Sequence, residues 1–209
     1  TVMAALIRLI PQVHAFQSAF YRFAVGLGFL AFLVFLNKIN LRSGNIFLLT
    51  LRGLTGGIAV FIYYNSIVKL GVGKATVYLY SYPVFASIFS VIILRDKISL
   101  LKWFFILCSF IGIYFLSDYK LTELTSNVNI FEVIAVAGAV LSGLSVVIVK
   151  SLHKSDSTYA IFMAQTLIGF WLFIIPANVV DLSGSYHVVF ILIAVGLIAA
   201  IGQLLLTEG

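Results

Sequence analysis

Residues 51–116 read LRGLTGGIAVFIYYNSIVKL (51–70), GVGKATVYLYSYPVFASIFSVIIL (71–94) and RDKISLLKWFFILCSFIGIYFL (95–116). These are three apolar runs joined by short turns, with Pro83 inside the second and the charged turn Arg95-Asp96-Lys97 ahead of the third. A run of about 20 apolar residues at about 1.5 Å each crosses the hydrocarbon core of a bilayer, about 30 Å thick. The block therefore predicts consecutive membrane-spanning helices.

The rest of the chain follows the same pattern. With 62% hydrophobic and 10% charged residues and a mean hydropathy of +1.16, the chain has too little polar surface to cover a water-soluble globule. Walking between charged clusters gives one partial span, Thr1–Ile10, and seven full ones: Ala15–Leu36, Ile46–Val68, Ala75–Leu94, Leu101–Ser117, Ile130–Val149, Tyr159–Val180 and Val188–Leu206. The first stretch carries Arg8, lacks the features of a signal peptide, and reads as the tail of a longer helix. The single cysteine, Cys108, allows no intrachain disulfide and reads as a small buried apolar residue.

Basic residues in alternate loops set the expected orientation. Lys38, Arg42, Arg95, Lys97, Lys102, Lys150 and Lys154 fall on one side, which the positive-inside bias makes cytoplasmic. Arg8, Lys69, Lys74 and Lys120 fall on the other, with Asp118, Glu123 and Asp181. The net charge of +6 is thereby explained by topology, and no nucleic-acid partner is expected.

The longest polar stretch, residues 118–129, reads as a joint between two halves. Displacing the chain by 143 positions sets Gly53-Leu54-Thr55-Gly56-Gly57-Ile58-Ala59 against Gly196-Leu197-Ile198-Ala199-Ala200-Ile201-Gly202. That period covers five helices, an odd number, so the second half would be inverted relative to the first, with a substrate site near the midplane between them. Gly53, Gly56 and Gly57 would let another helix approach closely. Pro83 removes one backbone hydrogen bond and disfavours helix at Tyr82, which predicts a kink and a candidate hinge. Tyr63, Tyr64, Asn65, Tyr78 and Tyr82 cluster nearby and are candidate cavity residues, with an interfacial aromatic belt as the competing account.

Charge inside a membrane is expensive and normally faces protein or water. Arg22 lies about 10 Å in from the outer face and Arg52 about 9 Å in from the inner face, so the two are not expected to pair with each other. Each could snorkel, or one of them could meet an anionic substrate group or a carboxylate on another helix, and Glu132 is on the right side for Arg22 or Arg8. Gln203 in the last span joins these candidates. No deep Asp, Glu or His suggests strong proton coupling, His14, His153 and His187 fall at span ends without metal-ligand spacing, and hydrolase and nucleotide-binding motifs are missing. The expectation is no enzyme, no metal and no cofactor.

Arg52-Gly53, Tyr63-Tyr64-Asn65-Ser66, Ala75-Thr76, Pro83-Val84-Phe85, Asp96-Lys97-Ile98-Ser99 and Gly112 together resemble the EamA-type repeat of the drug/metabolite transporter superfamily. The likeness covers about residues 51–116 well and the rest by topology. The chain has Arg95-Asp96 where that pattern has Gly-Glu, and Cys108 or Ser109 where it has glycine. Asp96 reads as a turn residue.

The resemblance implies an all-α polytopic membrane protein of ten helices in two inverted five-helix repeats, here divided as 1–117 and 118–209, with eight of the ten helices present and both ends incomplete. It implies a secondary transporter in the plasma membrane, the inner membrane of a bacterium, that moves small organic metabolites by alternating access, as exporter or exchanger. A cavity of Tyr, Asn and Ser groups suits amino acids, nucleoside derivatives or amphipathic drugs. Membrane lipids are expected partners, and a homodimer is one open assembly. The alternative class is a polytopic membrane enzyme or a lipid-binding structural subunit.

Overall fold

The computed structural model describes residues 3, 6, 7, 9, 10, 13–36, 41–97, 99–116, 129–179 and 186–208. The expected partial helix Thr1–Ile10 falls largely outside them, as do Arg8, Lys38, Lys120, Asp181 and the joint at 118–128. Among the described residues the chain is all-helical: α1 (Ala15–Phe35), α2 (Ile46–Leu70), α3 (Val72–Tyr80), α4 (Tyr82–Leu94), α5 (Leu100–Leu116), α6 (Ile130–Leu152), α7 (Thr158–Val179) and α8 (Tyr186–Glu208). Six spans are long and apolar enough to cross a membrane, counting residues 72–94 as one. The remaining expected span, Leu101–Ser117, is α5, whose 17 residues lie at the short end of the spanning range of about 17–25.

Local chemistry sets the helix ends. The His14 ring accepts from the Phe16 amide at 3.4 Å, while the Gln17 side chain accepts from the His14 amide at 3.4 Å, satisfying donors that α1 cannot pair internally. Asn45 and Asn129 do the same for α2 and α6, accepting from Leu48 and Phe131 at 3.1 Å each. Gly71, at φ 83°, ends α2 and starts α3 in a backbone conformation that costs glycine nothing. Arg95, where the resembled pattern has glycine, ends α4 in the left-handed conformation at φ 56° and ψ 32°.

The expected kink in the third span falls at Ser81, the single residue between α3 and α4, which keeps right-handed dihedrals of φ −75° and ψ −11°. Ser81 separates α3 from α4, its hydroxyl donates to the Tyr78 carbonyl at 2.6 Å, and Pro83 sits in the first turn of α4, where a missing amide costs least. Pro176 lies inside α7, which runs through it without a break.

α2 is the central helix, packed against α6 on one side and α7 on the other, while α1 packs on α7 and α8, and α4 on α6. The main core joins Phe23, Tyr64, Phe173 and Val195, with Phe16 stacked on Phe61 at 4.5 Å between centroids. Lipid offers no hydrophobic drive for helix association, so close approach at small residues carries the packing. A Cβ at Gly53 would lie 2.7 Å from the Ala164 carbonyl oxygen, and one at Gly143 would lie 2.8 Å from the Ala86 amide nitrogen. Phe104, Phe105, Trp171, Ile175 and Phe190 are exposed, as lipid-facing side chains should be. Cys108 is exposed as well, so its expected burial is corrected: α5 touches few neighbours and turns this face outward.

Polar contacts pair helix ends in the two sets that alternating topology predicts. On one side Lys74 meets Glu132 at 3.7 Å. On the other, Lys150 meets Asp96 at 2.5 Å, and Asp156 accepts from the Gly44 and Asn45 amides at 2.7 and 3.3 Å, while the Ser157 amide donates to the Arg42 carbonyl at 2.9 Å. Burial of Asp156 works against its ionisation, but hydrogen bonds from Ser155, Gly44 and Asn45 and the charge of Arg42 outweigh it and hold the carboxyl below its ordinary range. The start of α2 is thus pinned to the α6–α7 turn.

Candidate functional site

On α2, Arg52, Gly56, Ala59 and Tyr63 recur at helical spacing and form one stripe that turns inward. This stripe faces a central cavity of ≈ 190 Å³ completed by Arg22 of α1, Leu79 and Tyr82 on either side of the α3–α4 junction, Ser142 and Ser145 of α6, Gln165 of α7, and Gln203 and Leu206 of α8. Six of the spans contribute. The polar groups converge from both ends of the sequence onto one volume.

Arg52 is 5% exposed, so it does not snorkel. Its Nη1 donates to the Ser145 hydroxyl, which also accepts from Thr55 Oγ1 at 3.3 Å, and its Nε is buried with no hydrogen-bond partner. Gly56 makes this placement possible, since a Cβ there would lie 2.7 Å from Arg52 Nη1 and 2.9 Å from the Gln165 amide. Arg22 donates from Nη2 to Gln203 Oε1 at 3.4 Å and from Nη1 to Met3 Sδ at 3.5 Å. Every partner of both guanidinium groups is neutral. Among the described residues no Asp or Glu lines the cavity. An arginine at the centre of a span costs about 2.5–3.5 kcal/mol on insertion scales, so two in one cavity are a poor choice for structure alone.

Of the two partners considered for Glu132, Arg8 lies outside the described residues and Arg22 does not pair with it. Glu132 meets Lys74 at one end of the bundle, and Arg22 reaches α8 instead. Arg22 and Arg52 lie on opposite halves of the bilayer by position, yet long side chains carry both guanidinium groups to the same cavity. Of the other candidates, Tyr63, Tyr82 and Gln203 line it. Tyr64 is fully buried in the core and donates to Met3 Sδ at 3.5 Å, and Asn65 and Tyr78 are half-buried but not among the lining residues. Ser142, Ser145 and Gln165 were not anticipated. One signal could have found Gln165, because the displacement of 143 positions that aligns Gly53 with Gly196 also sets Arg22 against Gln165.

A second cavity of ≈ 500 Å³ opens on the side of the Arg95 and Lys150 turns, and Tyr82 and Val146 belong to the walls of both. Pro83, exposed, lines this second space with Ser87, Ser90, Asp96, Lys97, Lys102 and Lys150. Asp96 is more than a turn residue, for it ties the end of α4 to α6. Hydrogen bonds from Lys150 and Ser90 and the charges of Lys150 and Lys154 hold its carboxyl below the ordinary range, against a smaller desolvation effect. Among the described lining residues three lysines face one carboxylate.

Two known proteins are similar in sequence to the whole of the chain. The chain is 26% identical over its whole length to mouse "Solute carrier family 35 member G1", of which it spans 60%. It is 23% identical, again over its whole length, to "Pseudopaline exporter CntI" of Pseudomonas aeruginosa, of which it spans 73%. No solved structure matches the chain. With six apolar spans and this kinship, it is an integral protein of the plasma membrane. The profile of the EamA-like transporter family matches residues 1–118, more than half of the chain, which therefore belongs to that family of membrane transporters within the drug/metabolite transporter superfamily.

Proposed function

We propose that the chain forms the translocation core of a secondary transporter that moves small organic metabolites by alternating access around the central cavity, as exporter or exchanger. The observation that carries this reading is the convergence of the polar side chains of Arg22, Arg52, Tyr82, Ser145, Gln165 and Gln203 from six spans on one cavity whose walls are otherwise apolar. A volume of ≈ 190 Å³ lies below the range of about 300–1,000 Å³ typical of drug-sized ligands, which favours solutes of amino-acid size over amphipathic drugs.

Two inverted halves, residues 1–117 and 118–209, belong to the same proposal, and glycine contacts support it. A Cβ at Gly26 would meet Thr166 and one at Gly169 would meet Phe23; these are the same contact displaced by 143 positions in both partners. Gly53 against Ile168 and Gly196 against Val25 are related by the same displacement. Such matched crossings are what a pseudo-twofold axis in the membrane plane would produce. In this reading the α3–α4 junction at Ser81 and Pro83 is the hinge, and Tyr82 with Val146 is the partition between the central and the second cavity.

The test is flux. Vesicles reconstituted with the full-length protein and loaded with a defined mixture of amino acids, nucleosides and organic acids are expected to release at least one solute class faster than protein-free vesicles. A structural or lipid-binding subunit would release none above that control.

A further inference from the structure

Resting on that reading of the central cavity, we propose that its substrates are small organic carboxylates, dianions above all, held by Arg52 and Arg22 as counter-ions. Three observations carry the inference. The first is unmatched charge: Arg52 is buried with Nε unpartnered, both guanidinium groups meet only neutral groups, and no carboxylate among the described residues lines the cavity. Hydrogen bonds to hydroxyl, amide and thioether groups orient a cation but do not neutralise it. We assign the missing charge to the solute.

The second observation is construction. Gly56 leaves room for Arg52 Nη1 and the Gln165 amide side by side, at 2.7 and 2.9 Å from the position its Cβ would take. A planar guanidinium fork matches a carboxylate through two parallel N–H donors, which an ammonium cannot do. Beside it, the Gln165 and Gln203 amides can donate to the remaining oxygens. The third observation is the approach. The second cavity, separated by Tyr82 and Val146, carries Lys97, Lys102 and Lys150 against Asp96, so the field along the path attracts anions before they reach the arginines.

The experiment is a thermal-shift series on the full-length protein in neutral detergent. The probes are succinate, butyrate, the uncharged succinamide, and 1,4-diaminobutane as a cation of similar length. Succinate is expected to stabilise most and butyrate less, with no effect from the amide or the diamine. Arg52→Gln and Arg22→Gln should each weaken apparent succinate affinity at least tenfold, with Arg52→Lys intermediate. If Arg52→Gln does not fold, Arg22→Gln, whose side chain is only partly buried, carries the test alone. Equal stabilisation by succinamide, no stabilisation by either carboxylate, or unchanged affinity in a folded arginine variant would overturn the inference. Stabilisation by added phosphatidylglycerol but not by succinate would also overturn it, assigning the arginines to a lipid headgroup. Because the readout is binding, it is separate from flux: vesicles that move solutes without regard to carboxylates sink this inference alone, while arginine-dependent binding in a protein that moves nothing sinks the transport reading alone.

Discussion

Replacing glycine by alanine at three positions makes one chemical change in three different surroundings. In an open helical position the change gains about 1 kcal/mol of helix propensity, and Gly202, with nothing within 4 Å of an added Cβ, should show that gain. At Gly53 the new carbon would meet Ile168 Cδ1 at 2.3 Å, Ala164 O at 2.7 Å and Ile168 Cβ at 2.8 Å. The side-chain tip can swing away, but the carbonyl belongs to the α7 backbone, so α2 must move off α7 by several tenths of an ångström to reach ordinary contact near about 3.5 Å. Overpacking of this kind costs about 1–3 kcal/mol, and the propensity gain of about 1 kcal/mol offsets part of it, leaving Gly53→Ala up to about 2 kcal/mol less stable than wild type and about 1–3 kcal/mol less stable than Gly202→Ala.

At Gly56 the nearest atoms are the ends of flexible side chains, Arg52 Nη1 and the Gln165 amide. The fold should tolerate that alanine, but the guanidinium loses its seat, and substrate affinity should fall about tenfold, or about 1.4 kcal/mol. Thermal unfolding in detergent and concentration-dependent flux in vesicles separate the two effects. Gly53→Ala as stable as Gly202→Ala, or Gly56→Ala with wild-type affinity, would refute the reasoning from close approach.

Three further outcomes can be checked by stability measurements. Asp156→Ala leaves the Gly44 and Asn45 amides without their shared acceptor and should cost about 3 kcal/mol, since hydrogen bonds to a charged group are worth about 1.5–3 kcal/mol each; chemical denaturation reads it. The Asp96 carboxyl is held below its ordinary value of about 3.9, so its contribution is full above that value and is lost as pH falls through the lower folded-state one; Asp96→Asn should abolish that part of the acid sensitivity in a pH titration of melting temperature. Arg95→Gly should stabilise by about 1 kcal/mol, because glycine adopts the left-handed turn at φ 56° without the Cβ penalty; an unchanged or lower melting temperature would count against strain at this turn.

The helices were legible because each apolar run is long and bounded by charge or glycine, so α1, α2, α6, α7 and α8 begin and end within a few residues of their expected limits. What runs of hydropathy do not encode is which face of a helix meets which neighbour. That is why Arg52 was as consistent with snorkelling as with burial, why Cys108 was expected inside, and why Ser145 and Gln165 passed unnoticed. Depth along a helix was also a poor guide to contact. Arg22 and Arg52 start about 11 Å apart in a slab of about 30 Å and still share a cavity, because long side chains reach along the bundle axis. The Asp156 pin depends on two turns 112 residues apart in sequence, a tertiary contact with no local signature. Arg95 has no glycine to mark its turn in sequence, yet its backbone is left-handed at φ 56°.

The neutral partners of Arg22 and Arg52 have an electrical consequence. An empty cavity with two uncompensated guanidinium groups behaves as a site of charge +2, and binding a dicarboxylate makes it neutral. The loaded site then feels no membrane potential as it reorients, whereas the empty one is drawn toward a negative interior by up to about 2.3 kcal/mol per charge per 100 mV. In the proposed transport cycle, each return of the empty site would carry two negative charges outward with the solute. In an energised cell the resting voltage itself would favour expulsion, without a proton or sodium ion to drive it, and an exchanger of equal anions on the same site would be electrically silent.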